Sequence, residues 1–164
     1  MTYSRSSVLR VAEIVIRVAL GAIFVYAAYI KLRDPWALFA LNIDSYGVLP
    51  MWAVQLVART LPWAELLIGV LLIAGLFRRT ATVATSLLLA LFFSLMVRAY
   101  AKGMEINCGC FGPGEAISWK TLLRDGSMLG GALFVTAMSF LRRRKTSPPP
   151  SVDAAAPEPA ANRA

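Results

Sequence analysis

Histidine is absent from this chain of 164 residues, and cysteine occurs only twice, at Cys108 and Cys110. The missing imidazole removes the usual general base and the commonest metal ligand. Two thiolates from one motif do not complete the tetrahedral ligand set of a zinc site, so the chain is not expected to hold a metal by itself. Acidic residues are also scarce, with nine Asp and Glu against seventeen Lys and Arg. No internal repeat is found, which argues against the inverted-repeat architecture of many transporters. Between residues 80 and 97 there is no charge at all.

What is present is apolar bulk. The chain is 58% hydrophobic with a mean hydropathy of +0.63, well above the roughly half-apolar usage of soluble domains. Four stretches, at about 11–31, 53–77, 80–98 and 121–141, approach the roughly 20 helical residues that cross a hydrocarbon core. The expected fold class is an all-α membrane protein, a four-transmembrane-helix antiparallel bundle over residues 1–145. The first stretch follows Arg5 and Arg10 as a signal peptide would. Its apolar run is longer than a signal core and stops at Lys31-Leu32-Arg33-Asp34-Pro35, so it is read as a retained helix. From 146 to 164 the composition turns to Pro and Ala, with too little apolar bulk to fold. A disordered cytoplasmic tail is expected there.

Basic residues orient the bundle. Arg5 and Arg10, Arg78 and Arg79, and the run Arg142-Arg143-Arg144-Lys145 fall on one side, while the two longer loops mix both signs. The expectation is a bacterial inner-membrane protein with both termini cytoplasmic and the loop bearing Cys108 and Cys110 extracytoplasmic. The net charge of +8 is then a topology signal directed at membrane lipid, not at nucleic acid.

The loop itself reads Asn107-Cys108-Gly109-Cys110-Phe111-Gly112-Pro113. Extended, the two cysteine Cα atoms would stand roughly 7 Å apart, at the limit of a disulfide. Gly109 provides the backbone freedom to bend them together. A ring so small gains little as a permanent staple, and a strained disulfide is the labile or catalytic kind. A pair of buried, inert thiols is the bland alternative, set against the polar and glycine-rich surroundings. Cys108 and Cys110 are therefore the candidate catalytic residues. An extracytoplasmic loop also lies where disulfides persist.

Charges within the spans are costly and usually face the bundle interior. Lys31, Arg59, Glu65, Arg98, Arg124 and Asp125 are expected to gather beneath the cysteine loop as a supporting polar cluster. Lys31 and Arg98, at span ends, are read as snorkelling outward. Glu65 and Asp125 are read as buried partners of Arg124, Arg59 or Arg98. Glu13 and Arg17, one turn apart, are expected to pair on the helix surface. Pro62 bends the second span or marks its start, and Gly69 and Gly75 allow helices to approach closely. Trp36, Trp52, Trp63 and Trp119 fit an interfacial aromatic belt.

These residues resemble a known family. Arg17…Gly21 with Tyr26…Lys31-Leu32…Pro35, Tyr46…Leu49-Pro50, Leu61-Pro62…Glu65…Gly69…Gly75…Arg78, Ile106-Asn107-Cys108-Gly109-Cys110-Phe111-Gly112, and Arg124-Asp125 are similar to the MauE branch of the DoxX-like membrane proteins. The resemblance covers about residues 10–141 and is named for methylamine utilisation. It implies a four-helix membrane protein serving maturation of periplasmic disulfide-containing proteins, with a periplasmic thioredoxin-like partner. Through other DoxX-like proteins it brings in a quinone as electron acceptor, although no separate quinone signature stands in the chain.

Two function classes follow. In the first, the protein is a membrane thiol–disulfide oxidoreductase exchanging through Cys108 and Cys110. In the second, it is a non-catalytic assembly or docking factor whose cysteines only stabilise the loop. Tolerance of serine at both positions separates them. The client, the direction of electron flow and the oligomeric state have no signature in the sequence.

Overall fold

The computed structural model describes residues 2–104, 106–109 and 116–146. Cys110 and the expected tail beyond Thr146 lie outside these residues. Five helices follow in order: α1 (Thr2–Arg33), α2 (Trp36–Asp44), α3 (Met51–Ala74), α4 (Arg78–Ala101) and α5 (Trp119–Thr146). Among the described residues there is no strand, and the only β feature is an isolated antiparallel bridge between Asn107 and Ala116.

Among the described residues α3 and α4 are long and apolar enough to cross a membrane. In α1 the charged residues stand towards its two ends. Arg10, Glu13 and Arg17 stand near one end and Lys31 near the other, leaving residues 18–30 uncharged, about 20 Å of helix. In α5, Gly126, Gly130, Gly131, Thr136 and Ser139 replace bulky apolar residues.

Small residues set the packing. The seam between α1 and α3 closes on two facing glycines: a Cβ at Gly21 would meet the Gly69 carbonyl oxygen at 2.9 Å, and one at Gly69 would meet that of Gly21 at 2.8 Å. Only bare backbone fits such a crossing. Between α4 and α5 the contact is polar, with the Thr136 hydroxyl donating to the Thr82 carbonyl at 3.1 Å and lying 2.9 Å from the Ser86 hydroxyl. The core sits where these helices meet, on Leu20, Leu72, Ala81 and Ala132.

The short helix α2 has no counterpart among the four spans expected from hydropathy. Pro35, at φ −54° and ψ 127°, precedes its first residue. Proline tolerates that place because a helix start has unpaired N–H groups anyway. Nine residues are too few to cross a bilayer, so α2 packs instead on α3 and the end of α1. Pro50 precedes α3 in the same way. Pro62 lies buried inside α3, which runs on through it, and so does not mark the helix start.

Candidate functional site

The cysteine loop is tied down at its base. The Ile117 amide donates to the Ile106 carbonyl at 3.1 Å, next to the Asn107–Ala116 bridge. Ser118 and Thr121 exchange backbone-to-hydroxyl hydrogen bonds at 2.8 and 3.4 Å, a reciprocal cap that starts α5. Gly109 holds φ +70°, left-handed backbone suited to glycine. Its Cα lies against Asn42 of α2, where a Cβ would approach the Asn42 Cβ at 3.2 Å. Gly109 thus takes, directly after Cys108, a backbone conformation that a residue with a Cβ would adopt only with strain.

Cys108 is buried, with 2% of its surface exposed. Its carbonyl accepts a hydrogen bond from the Tyr46 hydroxyl at 3.3 Å. The residue forms part of the wall of a cavity of about 190 Å³ whose other sides include Phe39, Tyr46, Leu61, Leu91 and Phe92. The lining is almost wholly apolar; Asn42, Tyr46 and Cys108 are its polar exceptions. On this side of the loop α2 closes over Cys108. Cys110 lies outside the described residues.

A second, smaller cavity of about 50 Å³ lies beyond Leu88 and Phe92, which line both. Lys31, Glu65 and Asp125 all border it, among Phe24, Met96 and other apolar side chains. The Lys31 ammonium donates to both carboxylate oxygens of Glu65 at 2.8 Å. The side chains in this pair are only 4% and 7% exposed, and the Phe39 ring lies 5.3 Å from the same ammonium. Asp125 Oδ1 accepts from Arg124 Nε at 3.0 Å, while its buried Oδ2 has no hydrogen bond. Lys31 also lines a gap of about 20 Å³ on its other side, shared with Asn42 and Gly109. One buried cation thus borders both this cavity and the gap beside Gly109.

Placement of the cluster differs from expectation at several residues. Glu65 pairs with Lys31, not with Arg59, Arg98 or Arg124. Lys31 points inward instead of snorkelling, since α2 and Phe39 cover the route outward and a carboxylate waits across the seam. Arg59 is exposed, with its guanidinium 4.3 Å from the centre of the Trp36 ring. Arg98 is exposed at the end of α4, near Tyr46 and Met104. Asp125 and Arg124 are together, as neighbours on α5. At the opposite end, Glu13 is buried and bonds Arg78 Nη2 at 2.6 Å instead of pairing with Arg17 on the surface of α1.

Sequence reasoning passed over Phe39 and Asn42, which α2 brings to the loop. Pro35 and Pro50, bracketing a short apolar run, were the available signal. Among the described residues no group of three His, Cys, Asp or Glu side chains could hold a metal ion.

Comparison with known proteins adds a family. Residues 9–138 match the family model described as methylamine utilisation protein MauE. The chain is 33% identical over 113 residues to the methylamine utilization protein MauE of Paracoccus denitrificans, covering 67% of this chain and 60% of that protein. No solved structure matches.

Proposed function

The chain belongs to the family of the methylamine utilisation protein MauE, and from that premise we propose that it is a membrane thiol–disulfide exchange protein serving maturation of an extracytoplasmic protein of methylamine utilisation. The observation that supports this reading is the left-handed backbone bend at Gly109, directly after Cys108 and packed against Asn42 of α2, with the Tyr46 hydroxyl bonded to the Cys108 carbonyl. Pinning such a bend costs backbone entropy and gains little as a staple. It suits a pair that opens and closes.

The burial of Cys108 divides the labour. Exchange needs a thiolate that a partner protein can reach, so Cys110 is assigned the encounter and Cys108 the resolving step. In the oxidising direction for this protein, the Cys110 thiolate attacks a disulfide of a periplasmic thioredoxin-like partner. A mixed disulfide forms and one partner thiolate leaves. The Cys108 thiolate then attacks the Cys110 sulfur, closing the Cys108–Cys110 bond and releasing the second partner thiolate. The partner gains two electrons and this protein loses them. The reverse sequence oxidises the partner. Lys31, on the far side of Gly109 and Asn42, is assigned to position the loop's inner face.

A quinone ring fits the cavity beside Cys108. At about 190 Å³ it exceeds the roughly 150 Å³ that holds a benzene ring in a protein core. Phe39, Leu61, Leu91 and Phe92 would flank the ring, and the Asn42 amide would offer a hydrogen-bond donor. Such a group, when bound, accepts two electrons and two protons.

For the membrane arrangement we propose four crossings by α1, α3, α4 and α5, with both termini cytoplasmic and α2 lying at the outer surface. The basic residues flanking α1, α4 and α5 support it. Thiol labelling that reaches the cysteine loop only from the cytoplasmic side would overturn it.

The functional test is substitution. Cys108→Ser should accumulate a reducible covalent complex through Cys110 with the thioredoxin-like partner. Replacing both cysteines by serine should abolish client maturation at unchanged membrane levels of this protein. Full maturation by the double variant would leave the docking-factor reading in its place.

A further inference from the structure

The opposite end of the bundle holds a basic site that thiol chemistry does not use. Arg17 of α1 lies across the α3–α4 turn, stacked on Gly75, where a Cβ would come within 2.6 Å of its Nη1. Its Nε is buried with no hydrogen bond. Arg78 opens α4, spends one donor on the buried Glu13 carboxylate, and leaves its side chain 41% exposed. Arg17 is within electrostatic range of both. Two guanidinium groups and one carboxylate therefore share this turn, leaving one positive charge in excess there.

The turn itself is apolar. Between the last residue of α3 and the first of α4 lie only Gly75, Leu76 and Phe77. Phe77 takes φ +46°, a left-handed conformation that is unfavourable for an aromatic residue, and its side chain is part of a residue 75% exposed. A loop in water has no use for an exposed aromatic held at that expense. At the end of a membrane-crossing hairpin the same residues lie among headgroups, where aromatic rings and arginines are at home. The N-terminus of α4 has no side-chain cap either, so its amides are open to an acceptor.

We propose that Arg17 and Arg78, with the α3–α4 turn, form a binding site for the phosphodiester of an anionic lipid headgroup. Guanidinium forks match phosphate oxygens, and the pair supplies the charge. Leu76 and Phe77 enter the acyl-chain boundary beside it. The site depends only on α3 and α4 crossing the bilayer, and is independent of the cysteines.

The experiment is lipid retention by the full chain in detergent, read by native mass spectrometry with phosphatidylglycerol, phosphatidylcholine or inorganic phosphate. Phosphatidylglycerol should be retained over phosphatidylcholine, and Arg17→Gln should weaken its retention roughly fivefold, the loss expected for one basic contact. Arg17→Lys should fall between the two. Because Arg78 also holds Glu13, the reading rests on Arg17 variants whose helical circular dichroism matches the parent. Equal retention of the two lipids, unchanged retention in Arg17→Gln, or equal protection by inorganic phosphate at the same concentration would each overturn the proposal.

Discussion

The two ends of this molecule handle buried charge in opposite ways. At the end near the cysteine loop, Lys31 and Glu65 are sealed from solvent, each satisfied by the other across the α1–α3 seam. At the other end, Glu13 is as deeply buried, but its partner Arg78 reaches outward and Arg17 stands beside it. The first arrangement is closed and locks α1 to α3. The second leaves positive charge in excess at a surface.

Breaking the closed pair should have the largest effect. Lys31→Met strands a carboxylate in an apolar cavity, and loss of one partner of a buried pair costs about 3–5 kcal/mol. Thermal unfolding in detergent should register that loss, and Lys31→Met with Glu65→Leu together should recover most of it. A double variant as unstable as the single one would mean the pair is not the lock described here.

Next in size is Gly69→Val, which forces side-chain atoms into the Gly21 backbone on the same seam. Overpacking of this kind costs about 1–3 kcal/mol. It also separates Lys31 from Glu65, so its effect should shrink when the pair is already removed. Strict additivity in a double-mutant cycle would show that seam and pair are independent.

The open end should be more tolerant. Arg78→Gln retains a hydrogen-bonding side chain and leaves Arg17 in range of Glu13, so about 1 kcal/mol is expected, in the ordinary range of a hydrogen bond. A loss equal to that of Lys31→Met would erase the distinction between the ends. Smallest of all, Thr136→Val removes the α4–α5 hydroxyl contacts midway between them, at about 0.6 kcal/mol for a hydrogen bond within a membrane bundle.

Much of this was legible in the chain because hydropathy and charge report directly on long helices. The uncharged stretch before Arg98 reads as helix without help from context, and Gly69 marks a close approach. The choice of partner for Glu65 was not legible. Glu65 is 34 residues from Lys31, and only the Gly21–Gly69 crossing fixes which cation faces it. Lys31 looked like an interfacial residue because the sequence does not reveal that α2 folds back over it. The same small helix turns Cys108 from an exposed thiol into the wall of a cavity, a tertiary effect that no local pattern encodes. Arg98 lies exposed at the end of its span, in line with the snorkelling reading, whereas Arg59, inside α3, lies exposed against the Trp36 ring and away from the expected cluster.

The central claim is that Cys108 and Cys110 form one two-electron couple. The direct measurement is equilibration of the full chain in detergent with glutathione buffers of graded potential, followed by acid quenching, alkylation and intact mass determination. The expected result is a single transition in which two alkylation sites disappear together with loss of two hydrogens, at a midpoint within about −120 to −270 mV, the span of exchange-active pairs. Two cysteines that remain alkylated at every potential, or that take up glutathione independently without ever closing on each other, would contradict it.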